Sequence, residues 1–79
     1  MNLYNYITVS PEIQWSKPVF KGTRVTVDIL FYHLEAGVGL DDFFENFPGV
    51  SKDQVQGLLE SAARLFQYFK LEKINEIIA

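Results

Sequence analysis

The stretch EAGVGLDDFFENFPGVSKDQV, residues 35–55, decides the fold of this chain because it holds the signals for helix ends and helix starts. Gly37 is typical of the residue that follows a helix, and Pro48-Gly49 ends a second one. Asp41-Asp42 suits a first helical turn, where negative charge interacts favourably with the helix dipole. Residues Ser51 to Gln54 match a capping box, in which two side chains satisfy free amides at a helix start. The stretch therefore predicts three helices joined by two short turns.

Apolar residues at helical spacing extend these signals on both sides. We predict helices over residues 26–37, 39–47 and 51–70, and a C-terminal helical extension over residues 71–79. Thr26 is the expected N-cap of the first helix. Residues 4–27 hold β-branched and aromatic residues interrupted by proline and glycine, which predicts a short β ribbon with a hairpin centred on Gly22. The layout is that of a mainly α, three-helix helix-turn-helix domain whose corner is pinned by Val50.

The composition indicates one folded domain. The 79 residues are 48% apolar and 22% charged, unlike a disordered chain, and they are too few for two hydrophobic cores. The absence of cysteine excludes disulfides, thiolate catalysis and cysteine-based metal sites. We find neither a membrane-length apolar run nor a secretion signal, so we expect a cytoplasmic protein.

Charge is distributed unevenly along the chain. The net charge of −3 combines +2 over residues 1–27, −5 over residues 28–50 and neutrality over the remainder. The chain thus consists of a basic arm, an acidic middle and a neutral tail. Arg24 of the arm could grip a phosphate or a carboxylate bidentately. In the simpler alternative it caps backbone carbonyls or pairs with an acidic residue such as Asp28, and the lysines are merely solvated.

A helix-turn-helix predicts that the start of the third helix faces a DNA major groove. The candidate DNA-binding residues are the ribbon and third-helix side chains that could reach phosphates or base edges: Lys21, Arg24, Lys52, Gln54 and Gln56. The acidic second helix opposes this hypothesis, because its carboxylates would be repelled by the phosphate backbone. The alternative is a three-helix bundle that does not touch DNA.

We recognise no pattern typical of a catalytic or cofactor site. His33 is the single histidine and has no cysteine companions, so a helix-face imidazole is a simpler interpretation than a metal ligand. Asp41 and Asp42 are adjacent and point about 100° apart on a helix, which favours capping over an acid–base pair. We therefore expect a protein that is not an enzyme and that uses no metal or cofactor.

An apolar stripe runs along the third helix and beyond it. Its distal members are the candidates for a homodimer interface: Leu65, Phe66, Phe69, Ile74, Ile77 and Ile78. A body of this size cannot cover so long a stripe, so it either packs against a second chain, which we favour, or folds back over the core. Gly57 is unusual inside a helix and predicts a close approach by another helix or by the ribbon backbone.

Several short motifs together resemble the domain-of-unknown-function 433 family. They are KPVFKGTRVTV at residues 17–27, Ala36-Gly37, Asp41-Asp42-Phe43, Phe47-Pro48 and the segment from Asp53 to Val55. The resemblance extends over most of the chain, from residue 7 to about residue 64, and it implies a homeodomain-like three-helix fold. Two residues depart from the family pattern: Ser16 stands where Gly is usual, and Gly39 where a Ser or Thr cap is common.

Some members of that family resemble antitoxins encoded beside small PIN-like nucleases. The resemblance therefore implies an antitoxin setting. Combined with the missing catalytic patterns and the apolar stripe, it leads us to expect a non-enzymatic protein, dimeric through the third helix, that neutralises a neighbouring PIN-like toxin and also binds its own operator DNA. The acidic middle would suit a basic substrate groove, and the basic arm an acidic metal centre. The partner-binding candidates are Lys17, Arg24, Asp41, Asp42 and Glu45. Two alternatives stay open: a stand-alone DNA-binding regulator, or an interaction module that uses the helix-turn-helix only as a scaffold.

Overall fold

The computed structural model describes residues 3–68. It contains two short strands and three α-helices: β1 (Ile7–Thr8), β2 (Val19–Phe20), α1 (Val27–Glu35), α2 (Leu40–Asn46) and α3 (Lys52–Tyr68). A 3₁₀ turn covers Leu3–Asn5, and a left-handed turn covers Gln14–Ser16. The predicted mainly helical fold with a short N-terminal ribbon is confirmed. The homeodomain-like arrangement of the helices stays a prediction, and the predicted extension over residues 71–79 lies outside the described residues.

The ribbon is a small antiparallel sheet whose second strand continues into a hairpin. Ile7 pairs with Phe20 in the β1–β2 register. The Phe20 amide then donates to the Val25 carbonyl at 3.0 Å, which closes a turn around Gly22. Gly22 has a φ of +79°, a left-handed conformation that glycine adopts without steric cost. The predicted hairpin is confirmed, and it delivers the chain directly into α1.

The helix ends follow the sequence signals closely. At the end of α1 the Gly37 amide donates to the Leu34 carbonyl at 3.0 Å, and the Val38 amide to the His33 carbonyl at 2.8 Å. With Gly37 at a φ of +82°, these bonds form a Schellman motif. Thr26 occupies the N-cap position of α1 as predicted, yet its side chain makes no capping hydrogen bond. The helix therefore begins without the side-chain cap that the sequence suggested.

The capping box at the start of α3 is confirmed. The Ser51 amide donates to Gln54 Oε1 at 2.9 Å, and the Gln54 amide donates to Ser51 Oγ at 3.1 Å. These two bonds satisfy amides that a helix start leaves without intrahelical partners. The start of α3 is thereby fixed by its own local sequence.

The core lies where the ribbon and the three helices meet, and it is built around two phenylalanine rings. Phe20 and Phe43 are fully buried with their ring centroids 6.3 Å apart in an edge-to-face arrangement. Val50 is 3% exposed in the turn between α2 and α3, as predicted for the residue that pins this corner. His33 Nδ1 lies 2.9 Å from the Ile29 carbonyl, and its ring packs edge-on against Phe43. His33 is therefore the helix-face imidazole that the sequence indicated.

Gly57 lets the ribbon approach α3. A Cβ built on this buried residue would overlap the ring of Tyr6, which packs against the core. The predicted close approach is confirmed, but it is made by a ribbon side chain and not by a backbone. Within residues 3–68, the helices are too short or too polar to cross a membrane.

Candidate interaction surfaces

The exposed carboxylates of α2 form the first candidate surface. Asp41, Asp42 and Glu45, here called the acidic face, are all exposed. The one ion pair within residues 3–68 joins Lys17 to Asp28, so the acidic face is not neutralised by the described part of the chain. These are three of the predicted partner-binding residues, and the helix brings them together. Their charge is available to an external cation.

An apolar cleft of ≈ 430 Å³ adjoins the acidic face, between α2 and α3. Its apolar lining comes from Leu40, Phe44, Val55 and Leu59, and its polar lining from Asp41, Lys52, Gln56 and Glu60. An apolar centre with a charged rim is the usual composition of a protein–protein interface. Helical periodicity does not distinguish apolar residues that line a cleft from those that only fill the core, so the sequence analysis missed this cleft.

The predicted DNA-binding residues of α3 are only partly free. Gln54 is committed to the fold, because its Nε2 donates to the Lys21 carbonyl at 2.7 Å in addition to its capping role. Gln56 Nε2 donates to Glu60 Oε1 at 3.4 Å on the exposed side of the helix. The Gln54 bond also brings the Gly22 hairpin to the start of α3, so the exposed side chains of Lys21 and Lys52 belong to neighbouring segments.

The basic arm separates into paired and unpaired cations. Lys17 Nζ lies 3.5 Å from Asp28 Oδ2, in place of the Arg24–Asp28 pair considered from the sequence. A hydrogen bond from the Thr26 hydroxyl, and then the nearby Lys17 charge, lower the pKa of Asp28 below 3.8. Arg24 is exposed and pairs with no carboxylate of residues 3–68. Of the predicted partner-binding cations, Arg24 is therefore the one that no carboxylate of residues 3–68 neutralises.

The loop between β1 and β2 carries a feature that the sequence analysis missed. Gln14, Trp15 and Ser16 have φ values of +50°, +57° and +66°, a left-handed turn without glycine. Such a conformation costs an L-residue roughly 1–2 kcal/mol. Trp15, at the centre of the turn, is 92% exposed. The one signal of this turn in the sequence was Ser16, which stands where the family that the chain resembles usually has Gly.

The predicted dimer interface is only partly within the described residues. Leu65 is 53% exposed and Phe66 is 66% exposed on α3. Leu65 lines an apolar cleft of ≈ 550 Å³ together with Leu3, Phe31, Leu58, Ser61, Ala62 and Arg64. Phe69, Ile74, Ile77 and Ile78 lie outside the described residues. The described end of α3 thus contributes apolar surface next to a cleft.

Residues 3–68 contain no group of three or more His, Asp or Glu side chains placed to hold a metal ion. The surfaces described above offer exposed charge and apolar contact area.

Comparison with known proteins gives one family match. A family model described as "Protein of unknown function (DUF433)" matches residues 7–62. No curated protein matches the chain. No solved structure matches it either.

Proposed function

The chain belongs to the DUF433 family, and from its separated surface charges we propose that it is a non-enzymatic, antitoxin-like protein of the cytoplasm. In this proposal it binds and neutralises a PIN-like nuclease encoded nearby. Its three helices adopt a homeodomain-like helix-turn-helix, and it acts as a homodimer. The proposal goes beyond the family description, which names no activity.

The observation that carries the proposal is the separation of unpaired charge on the surface. The acidic face gathers three exposed carboxylates on one short helix, whereas the exposed cations Lys21 and Arg24 lie on the ribbon hairpin. A nuclease that acts on RNA presents a basic substrate groove around acidic metal ligands. The acidic face complements such a groove, and Arg24 complements the acidic ligands. This match of signs supports a protein partner.

The cleft between α2 and α3 supports the assignment of the acidic face as the partner-binding surface. It adjoins the acidic face, shares Asp41 with it and has an apolar lining that includes Phe44. A partner helix laid into this cleft would bury apolar area while its basic side chains meet the carboxylates. Charge then gives a fast and selective encounter, and the apolar contact slows dissociation.

The proposal is tested by co-expressing the tagged chain with its genomic neighbours and identifying the proteins that co-purify stoichiometrically. We expect one small PIN-like protein, whose ribonuclease activity is inhibited in the complex. Replacing all three residues of the acidic face by Lys should abolish both co-purification and inhibition.

A matched control carries the same change of net charge at exposed positions outside the acidic face and its cleft: Glu35→Lys, Asp53→Lys, Asn5→Lys and Ala63→Lys. This control should retain binding, provided that its circular dichroism spectrum matches the wild type. Intact inhibition by the acidic-face variant would contradict the assigned surface, and purification of the chain without any partner would contradict the function.

Operator DNA binding is a second candidate, favoured by the bond from Gln54 that holds the Lys21 turn at the start of α3. This contact brings Lys21 toward Lys52, and two such cations could contact neighbouring phosphates. We expect Lys52→Ala to weaken binding to the upstream DNA and to lower the salt slope by about one for each phosphate that the side chain neutralises. Binding without salt dependence, or none at all, would favour the use of the fold only as a scaffold.

A further inference from the structure

The left-handed turn presents its tryptophan away from the body of the protein. Trp15 is 92% exposed, and it is not among the side chains that form or cover the hydrophobic core. Folding therefore gains little apolar burial from this ring, although the backbone around it adopts a costly conformation. Strained backbone of this kind is concentrated at functional sites. A role in recognition would explain why an indole stands at this position.

Hydrogen bonds fix the turn against the ribbon. The Lys17 amide donates to the Gln14 carbonyl at 3.1 Å, and the Ser16 amide donates to the Ile13 carbonyl at 3.2 Å. Gln14 Nε2 donates to the Arg24 carbonyl at 2.9 Å, which ties the turn to the hairpin. The indole is thus presented by an ordered loop, so its binding would cost less conformational entropy than that of a flexible segment.

Trp15 and Arg24 line one open cleft. Pro11, Glu12 and Gln14 complete the lining of this cleft, which measures ≈ 250 Å³. Arg24 pairs with no carboxylate of the described chain, whereas the charge of Lys17 is offset by Asp28. The cleft therefore offers an aromatic ring, one free guanidinium and one carboxylate. Trp and Arg are the residues that most often dominate the energy of a protein interface.

We propose that Trp15 and Arg24 anchor the interface with the nuclease partner, the indole filling an apolar pocket bordered by a carboxylate that pairs with Arg24. The inference rests on the proposed function and adds to it a second contact surface, distinct from the acidic face. A protein pocket fits better than a nucleic acid, because Glu12 lines the same cleft and would repel a phosphate. In a protein partner, Glu12 meets a cation on the rim of that pocket.

The test uses the full-length chain and the co-purified nuclease, with affinity measured by isothermal titration calorimetry. We expect Trp15→Ala to weaken binding by about 30-fold or more, which corresponds to the loss of an interface hot spot. Arg24→Gln should also weaken it, and the matched control Tyr32→Ala, which removes an aromatic ring that is 61% exposed on α1, should not. Unchanged thermal melting of each variant would show that the fold is retained.

Trp15 is the single tryptophan of the chain, so 5-fluorotryptophan places one ¹⁹F reporter at this position. On addition of the nuclease the ¹⁹F resonance should shift. Its chemical shift should also no longer differ between H₂O and D₂O, because the indole is then shielded from solvent. Wild-type affinity for Trp15→Ala, or an unshifted resonance in the complex, would overturn the inference and leave the proposed function standing. A wild-type chain that does not bind the nuclease would overturn both. A shift produced instead by single-stranded RNA, reversed by salt, would overturn the protein pocket in favour of base stacking.

Discussion

Gly57 is the residue at which the ribbon and α3 come closest. A methyl group at this position would overlap the Tyr6 ring, so Gly57→Ala forces the ring away from the core. Displacing the ring should lower the free energy of unfolding by about 1–3 kcal/mol, whereas the better helix propensity of alanine should raise it by about 1 kcal/mol. We therefore expect a net destabilisation, which urea denaturation measures.

The control for this substitution is the same change in a Tyr6→Ala background. Without the ring, only helix propensity remains, and Gly57→Ala should then stabilise the protein by about 1 kcal/mol. A stabilising effect already in the wild-type background would mean that the Tyr6 ring moves away at no cost. The sequence indicated a close approach here because glycine is unfavourable in a helix, but it could not identify the group that approaches.

Ser16 adopts a φ of +66°, in a region where a side chain is strained and glycine is not. We expect Ser16→Gly to raise the free energy of unfolding by roughly 0.5–1 kcal/mol, after subtraction of the larger entropy that glycine has in the unfolded chain. Thermal and urea denaturation measure this gain. Gly37→Ala, at a φ of +82°, is the converse control and should destabilise the protein. A destabilised Ser16→Gly would show that the Ser16 side chain makes a compensating contact.

At the scale of single elements, local signals predicted the helix boundaries well. The capping box of Ser51 and Gln54 and the glycine end of α1 depend on residues within one turn, so the sequence contains the information needed to predict them. The bond from Gln54 to Lys21 joins residues far apart in the chain, and no local pattern predicts it. The same limit applies to Trp15, because the left-handed turn is fixed by bonds to the hairpin.

We expect the contribution of Asp28, in the first turn of α1, to the stability of the fold to depend on pH. The Thr26 hydroxyl and the Lys17 charge lower the pKa of Asp28 in the folded protein below its ordinary value of 3.8. A carboxyl whose folded pKa is lowered stabilises the fold above its unfolded pKa. This contribution is lost as the pH falls through 3.8 toward the folded pKa. Asp28→Asn should therefore reduce the loss of melting temperature between about pH 6 and pH 3.

The two causes of this shift can be separated by comparing variants. The Thr26 hydroxyl is the largest single cause, and Lys17 acts both through its charge and through a hydrogen bond, so Thr26→Val and Lys17→Met should each reduce the acid dependence. Melting temperatures measured by circular dichroism across the acid range test both variants. An unchanged acid dependence in Lys17→Met would mean that the solvent-exposed ion pair contributes nothing to the shift.

At the scale of the whole molecule, a chain of 79 residues buries a limited fraction of its surface on folding. Phe31 is 40% exposed and Leu65 is 53% exposed, and both line the same apolar cleft beside α3. Exposed apolar surface of this kind marks interaction sites. We therefore expect a homodimer that covers this cleft through α3 and the distal stripe.

Light scattering coupled to size-exclusion chromatography measures the molar mass, and the wild type should elute as a dimer. Leu65→Asp should yield a monomer, as should Ile74→Asp combined with Ile77→Asp, because each places charge in an apolar interface. Val9→Asp is the matched control: Val9 is 48% exposed on the ribbon, so this variant should remain dimeric. A monomeric wild type at every concentration would contradict the dimer. In that case the distal stripe would fold back over the cleft of its own chain, and the protein would bind its partner through the acidic face as a monomer.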